Sequence, residues 1–166
     1  MMKKVLITTL ALFCLALTAC SPQKRYDHDA DADDVAERMV AAIGSRADYM
    51  SADDDHYEFY FGDNAAFLLV EDAEMVFSRL ETDVNELGVF CVNFEQNVAA
   101  VRDMVQRYLD DQTANLRSFA ANYSPEDMAK IDNAGIEVYG RYVVYYILDA
   151  EDEAAALDAV KRMITK

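Results

Sequence analysis

The chain has 166 residues, 53% of them hydrophobic and 28% charged, with 15 Lys plus Arg against 31 Asp plus Glu. That length holds one domain, and the apolar fraction, with only five Gly and two Pro, excludes a disordered or linker-rich chain. A formal charge of −16 argues against nucleic acid as a partner, because polyanion binding needs a basic surface that displaces counterions.

Residues 1–19 read as a targeting device. Lys3 and Lys4 precede an apolar run of 13 residues from Val5 to Leu17. As a helix it spans roughly 20 Å, short of the ~30 Å hydrocarbon core, so it fits a signal peptide rather than a membrane span. Leu17-Thr18-Ala19-Cys20 resembles the bacterial lipobox. The resemblance implies cleavage before Cys20, a lipid on its thiol, and attachment to the outer side of the cell membrane through that lipid. Cleavage leaves 147 residues, 13 basic against 31 acidic side chains, and Cys91 as the one remaining thiol, so no internal disulfide is expected. The acidic residues of 20–32 read as a tether that could reach ~45 Å when extended. Repulsion from an anionic lipid surface suggests a body held off the membrane.

The folded domain is expected over 33–166. Asp34 and Glu37 have the spacing of a capping box, and Val35, Met39, Ala42 and Ile43 make a helical stripe that ends near Gly44. Residues 45–73 give little pattern: an Asp-rich loop, the aromatic run Tyr57 to Phe61, and a helical turn near Ala65–Val70. The period changes to two from Ala73, predicting a strand through Met75, Phe77 and Arg79, and a second strand from Gly88 to Phe94. Val98, Val101, Val105, Tyr108, Leu109, Leu116 and Phe119 recur at three- and four-residue steps, which predicts a long amphipathic helix from Gln96 that stops at Tyr123-Ser124-Pro125. Ile136–Tyr139 and Tyr142–Leu148 read as a hairpin about Gly140-Arg141, and Glu151–Ile164 as a last helix with acidic start and basic end. The expected fold is therefore α+β: an N-terminal helix, then two ββα units, with a four-stranded antiparallel sheet and helices packed on one face.

Tyr60-Phe61-Gly62, the long helix followed by Tyr123-Ser124-Pro125-Glu126, and Gly140-Arg141-Tyr142-Val143 occur in an order that is similar to a family of small lipoproteins from clostridia and related Firmicutes, known as a domain of unknown function. That resemblance implies an envelope lipoprotein and transfers no activity, cofactor or catalytic residue.

No catalytic set emerges from the residues. The Asp27 to Asp34 run lacks the Gly and Glu of a calcium loop in either register, and reads as a solvated acidic tether. His28 and His56 lack second ligands at zinc spacing, so no metal or cofactor is expected, and Asp53-Asp54-Asp55-His56 reads as a helix-capping, solvated loop. Cys91, between Phe90 and Val92, reads as a core residue. Phosphate loops, nucleophile elbows and dinucleotide fingerprints are missing. The candidate ligand surface is the set Tyr142, Tyr145 and Tyr146. Alternation puts Tyr142 and Tyr146 on one face and Tyr145 on the other, and helices on one face only would leave some of these rings exposed. The expected function is a non-catalytic binding module for a protein, peptide or glycan. The alternatives are a carboxylate-based extracytoplasmic hydrolase and a structural accessory of an envelope complex.

Overall fold

The computed structural model describes Tyr26 and residues 29–165. The segment read as a signal peptide, Cys20 and most of the segment read as a tether lie outside the described residues. Among those described, no helix is long and apolar enough to cross a membrane.

Helix α1 (Ala32–Ile43) opens the domain. Its Asp31 cap position makes no side-chain bond; instead the Ala32 N–H donates to Asp72 Oδ2 at 2.7 Å, from a strand forty residues away. The capping box expected at Asp34 is replaced by a tertiary cap, which satisfies one of the orphan donors of the first turn. A 3₁₀ turn (Arg46–Asp48) leads to strand β1 (Tyr49–Ser51) and then to helix α2 (Asp54–Phe61). Strand β2 (Val70–Ser78), strand β3 (Glu86–Val92) and the 26-residue helix α3 (Val98–Tyr123) follow. A short helix α4 (Met128–Asp132) precedes strands β4 (Gly135–Tyr139) and β5 (Tyr142–Ile147), and helix α5 (Ala150–Ile164) closes the domain.

The sheet has five strands in the order β1-β2-β3-β5-β4, all antiparallel. Two hairpins, β2–β3 and β4–β5, lie side by side and join through β3 and β5. The second turns at Gly140-Arg141, with Gly140 at φ 60 and Tyr139 facing Tyr142, so the hairpin expected there forms with glycine where a positive φ is required.

Two features correct the expected architecture. The sheet has a fifth strand, β1, from the segment that gave no readable period, and α2 and α4 interrupt the simple ββα pattern. Helices also cover both faces rather than one. Val35, Met39 and Val40 of α1, with Leu157, Val160 and Ile164 of α5, pack on Leu87, Val89, Cys91, Tyr142, Val144 and Tyr146. Val101, Met104, Val105 and Tyr108 of α3, with Phe61 of α2 and Ile131 of α4, pack on Phe90, Val92, Val143, Tyr145 and Ile147. The physical reason is written in β3 and β5, which apart from Glu86 are apolar on both faces and are buried at every position; a strand of that kind needs cover on each side.

Candidate functional site

The three candidate tyrosines are buried, because the second helical layer covers the face expected to be open. Tyr142 donates to the Ala30 carbonyl at 2.8 Å, Tyr146 to Glu153 Oε1 at 2.7 Å, and Tyr145 to Glu86 Oε1 at 2.6 Å. Each ring fills core while its hydroxyl finds a fixed acceptor, the usual arrangement for an amphipathic ring inside a fold. None of them offers a surface to a ligand. Cys91 is likewise buried, and burial pushes its thiol up from the usual range, so it is not activated as a nucleophile.

Glu86 is a carboxylate set in the core. It sits at the start of β3, 6% exposed, and its Oε1 accepts from both Tyr145 and Tyr108 at 2.6 Å. Burial raises its pKa, and the two tyrosine hydroxyls pull in the opposite direction. Above it lies an aromatic layer: His56 stands 4.6 Å from Tyr60, 4.9 Å from Phe77 and 6.4 Å from Tyr108, centre to centre. Asp53 caps α2 by accepting from the His56 N–H at 2.9 Å, as the loop reading expected, but the His56 ring turns inward and is half-buried rather than solvated. Desolvation lowers its pKa, so it is neutral near pH 7, and its Nε2 is buried without a hydrogen-bond partner. The Glu86 cluster therefore lies beneath packed rings rather than at the floor of an open pocket.

The surface that combines shape and chemistry is a groove of about 420 Å³ between α2 and the outer edge of β2. It is built by a local failure of strand pairing. β1 is three residues long and covers only Val76–Ser78 of β2. Past its end the Ala52 N–H donates to the Met75 carbonyl, and the Tyr57 hydroxyl takes over, accepting from the Met75 N–H at 2.9 Å and donating to the Ala73 carbonyl at 3.3 Å. Burial is the main cause that raises the Tyr57 pKa, so this hydroxyl keeps its proton. Beyond Ala73, β2 runs on without cover and is bulged between Val70 and Asp72.

The Tyr57 ring stacks on Phe67 at 6.1 Å with planes 14° apart, and both rings line the groove. Its rim carries Asp54, Glu58, Glu71 and Asp72, and no basic side chain lines it. Asp72 accepts the Ala32 N–H and Glu71 pairs with Arg141 at 2.7 Å, whereas Asp54 and Glu58 have no ion pair among the described residues. Asp54 also suits the positive N-terminal end of α2. Two rings under a negative rim can take a cation by ring-face and charge attraction together. In the sequence Tyr57 stands in the aromatic run Tyr57 to Phe61; the acidic rim comes from two segments, 54–58 and 71–72, whose adjacency is tertiary. Among the described residues no group of three or more His, Cys, Asp or Glu is placed to hold a metal ion.

A family profile described as a domain of unknown function (DUF4358) matches residues 42–148, more than half of the chain, and that stretch contains the whole groove. No curated protein and no solved structure matches the chain.

Proposed function

Because the chain belongs to the DUF4358 family, whose description assigns no chemistry, we propose a function from its geometry: a lipid-anchored binding module, displayed outside the cytoplasmic membrane, that takes a polycationic ligand in the groove between α2 and β2. The lipobox-like Leu17-Thr18-Ala19-Cys20 and the similarity to lipoproteins of clostridia and related Firmicutes support the anchor. The observation that carries the binding reading is the paired ring floor of Tyr57 and Phe67 beneath four carboxylates with no cation lining the groove.

Magnitudes decide the class of ligand. A cation over an exposed aromatic face is worth about 0.5–1 kcal/mol and an exposed ion pair up to about 1 kcal/mol. One ammonium group touching three or four such partners therefore gains at most about 4 kcal/mol, no tighter than about millimolar. Useful affinity needs several linked charges, as in a polyamine or a lysine- or arginine-rich peptide. Strand addition at this edge is opposed by the Tyr57 hydroxyl, which already occupies it, and by the bulge beyond.

Thermal melting with spermidine and with an oligolysine peptide tests the reading. At a hundredfold excess over Kd a ligand of the folded state contributes about 2.7 kcal/mol, a rise of several degrees for a domain of this size. Asp54→Asn with Glu58→Gln should abolish that rise, and an equal rise in wild type and variant would sink the assignment to this groove.

A hydrolase is the second reading, and Glu86 is the observation in its favour, as a buried carboxylate held by two tyrosines. It requires Tyr60 and His56 to swing aside and admit substrate. Turnover of a peptide or glycan substrate by purified protein, lost in Glu86→Gln with the fold intact, is the result it demands.

A further inference from the structure

Two recesses meet at the start of α2. Asp54 lines the groove, and its neighbour Asp53 lines a pocket of about 300 Å³ together with Met50, Ser51, Ala52, His56 and Phe77. We propose that the ligand is a basic segment of another polypeptide lying across the first turn of α2, with a Lys or Arg side chain in the groove and an apolar side chain in this pocket. It rests on the cation-binding groove proposed above and names the kind of partner that groove takes.

The pocket lies where one core runs out of cover. Met50 and Phe77 are cross-strand partners on β1 and β2, so their side chains share a face. It is the face of the α2 and α3 core, against which Phe77 packs. Phe77 is half-buried and Met50 is 46% exposed, which leaves the rim of that core open to solvent. The apolar surface continues along α2. The His56 ring stands 4.9 Å from Phe77 and 4.6 Å from Tyr60, and the exposed Phe59 ring is edge-on to Tyr60 at 4.8 Å. Met, Phe and Tyr gathered on a surface in this way match the composition of an interface centre. Desolvation keeps His56 neutral near pH 7, so the pocket holds no positive charge to turn a basic segment away.

Charge selects the occupant. Residues 47–78, which build both recesses, contain no Lys or Arg. Arg46 and Arg141 reach in from outside and pair with Glu74 and Glu71, and Arg79 donates to the Tyr49 carbonyl. Helix α3, packed on α2 through Tyr108, carries Arg102 and Arg107 against Asp103, Asp110 and Asp111 over residues 98–111. Asp53, Asp54, Asp55 and Glu58 are exposed and have no ion pair among the described residues. Distance sets the spacing. Ala73 lines the groove and Phe77 the pocket, four residues apart on β2, which is about 13 Å of strand. An extended peptide covers that span in about four residues, so its basic and apolar anchors stand about four positions apart. A free polyamine matches the charge but brings no apolar side chain to the pocket.

The test compares two dye-labelled peptides of equal charge on the whole chain by fluorescence anisotropy. Each has three lysines and, four positions after the last, either leucine or serine. Wild type is expected to bind the leucine peptide about tenfold tighter or better, as burial of one large apolar side chain provides. Asp54→Asn with Glu58→Gln should weaken both peptides, and Met50→Ser should bring the two affinities together. A diazirine analogue of that leucine should cross-link within residues 50–56 or at Phe77, a readout that needs no substitution. Equal affinities for two peptides that both bind overturn the apolar anchor and leave the cation groove standing. A leucine preference whose cross-links fall elsewhere overturns the pocket. Failure of both peptides and of spermidine to bind overturns the groove itself, a result distinct from the other two.

Discussion

At the scale of single residues, Gly88 and Glu86 constrain the core most sharply. The ring of Tyr145 lies directly over Gly88, so a Cβ there would collide with it, while Met75 closes the other approach. Gly88→Ala should therefore cost about 2–3 kcal/mol through overpacking, read as a lowered denaturation midpoint with an unchanged slope. Glu86 gives a pH signature. Burial raises its folded-state pKa above the unfolded value, so the folded state holds its proton more tightly. The associated stability is fully present below the unfolded pKa and is lost as pH rises through the folded one. Melting of wild type and Glu86→Gln from about pH 4 to pH 8 should show the wild type falling relative to the variant as pH rises; parallel curves would contradict it. Neither residue's role was legible. Sequence showed Gly88 as the start of a strand, and Glu86 became buried only when α3 brought Tyr108 across it. The tyrosine alternation, by contrast, was legible and correct: Tyr142 and Tyr146 share one core and Tyr145 enters the other. What alternation could not say was that both faces are covered.

At the scale of elements, the joint between β1, β2 and α2 is the weakest and most informative. A three-residue strand has no period to detect, and α2, with its run of aspartates, has little apolar stripe, so both escaped a reading that depends on recurrence. The long helix, the two hairpins and the last helix were legible because their patterns repeat over many residues. The Tyr57 hydroxyl is the pin of the joint. Tyr57→Phe keeps the ring on Phe67 but strands the Met75 N–H and Ala73 carbonyl. A loss of about 1–2 kcal/mol is expected, with amide exchange at Met75 accelerated and that of Val89 in the central strand unchanged. Uniform acceleration across the sheet would show that the joint does not open independently of it.

At the scale of the whole molecule, the first and last helices stand apart from the middle of the chain. The acidic groove lies within the family-matched stretch, and α1 and α5 lie mostly outside it. Docking of Tyr26 on Thr165 ties the segment before α1 to the end of α5. Tyr26→Ala should lower stability by about 1–2 kcal/mol, since a half-buried ring and its edge contact are lost. Faster amide exchange confined to the end of α5 would locate the effect there, and an unchanged melting curve would show that the bridge contributes nothing. The α+β class could be read in the sequence; this docking could not, because Tyr26 lies in a polar stretch that carries no element signal of its own.

The pairing of the first helix with the last has a consequence for how the chain acquires its structure. One of the two cores is assembled from α1 and α5, elements separated by almost the entire domain, whereas the other is assembled from α2, α3 and α4, which lie between them. Contacts of such long sequence separation form late, because a long loop must close before they return any energy. A chain that emerges from its amino end can complete the α2, α3 and α4 layer first, but its other layer stays open until the final fifteen-residue helix arrives.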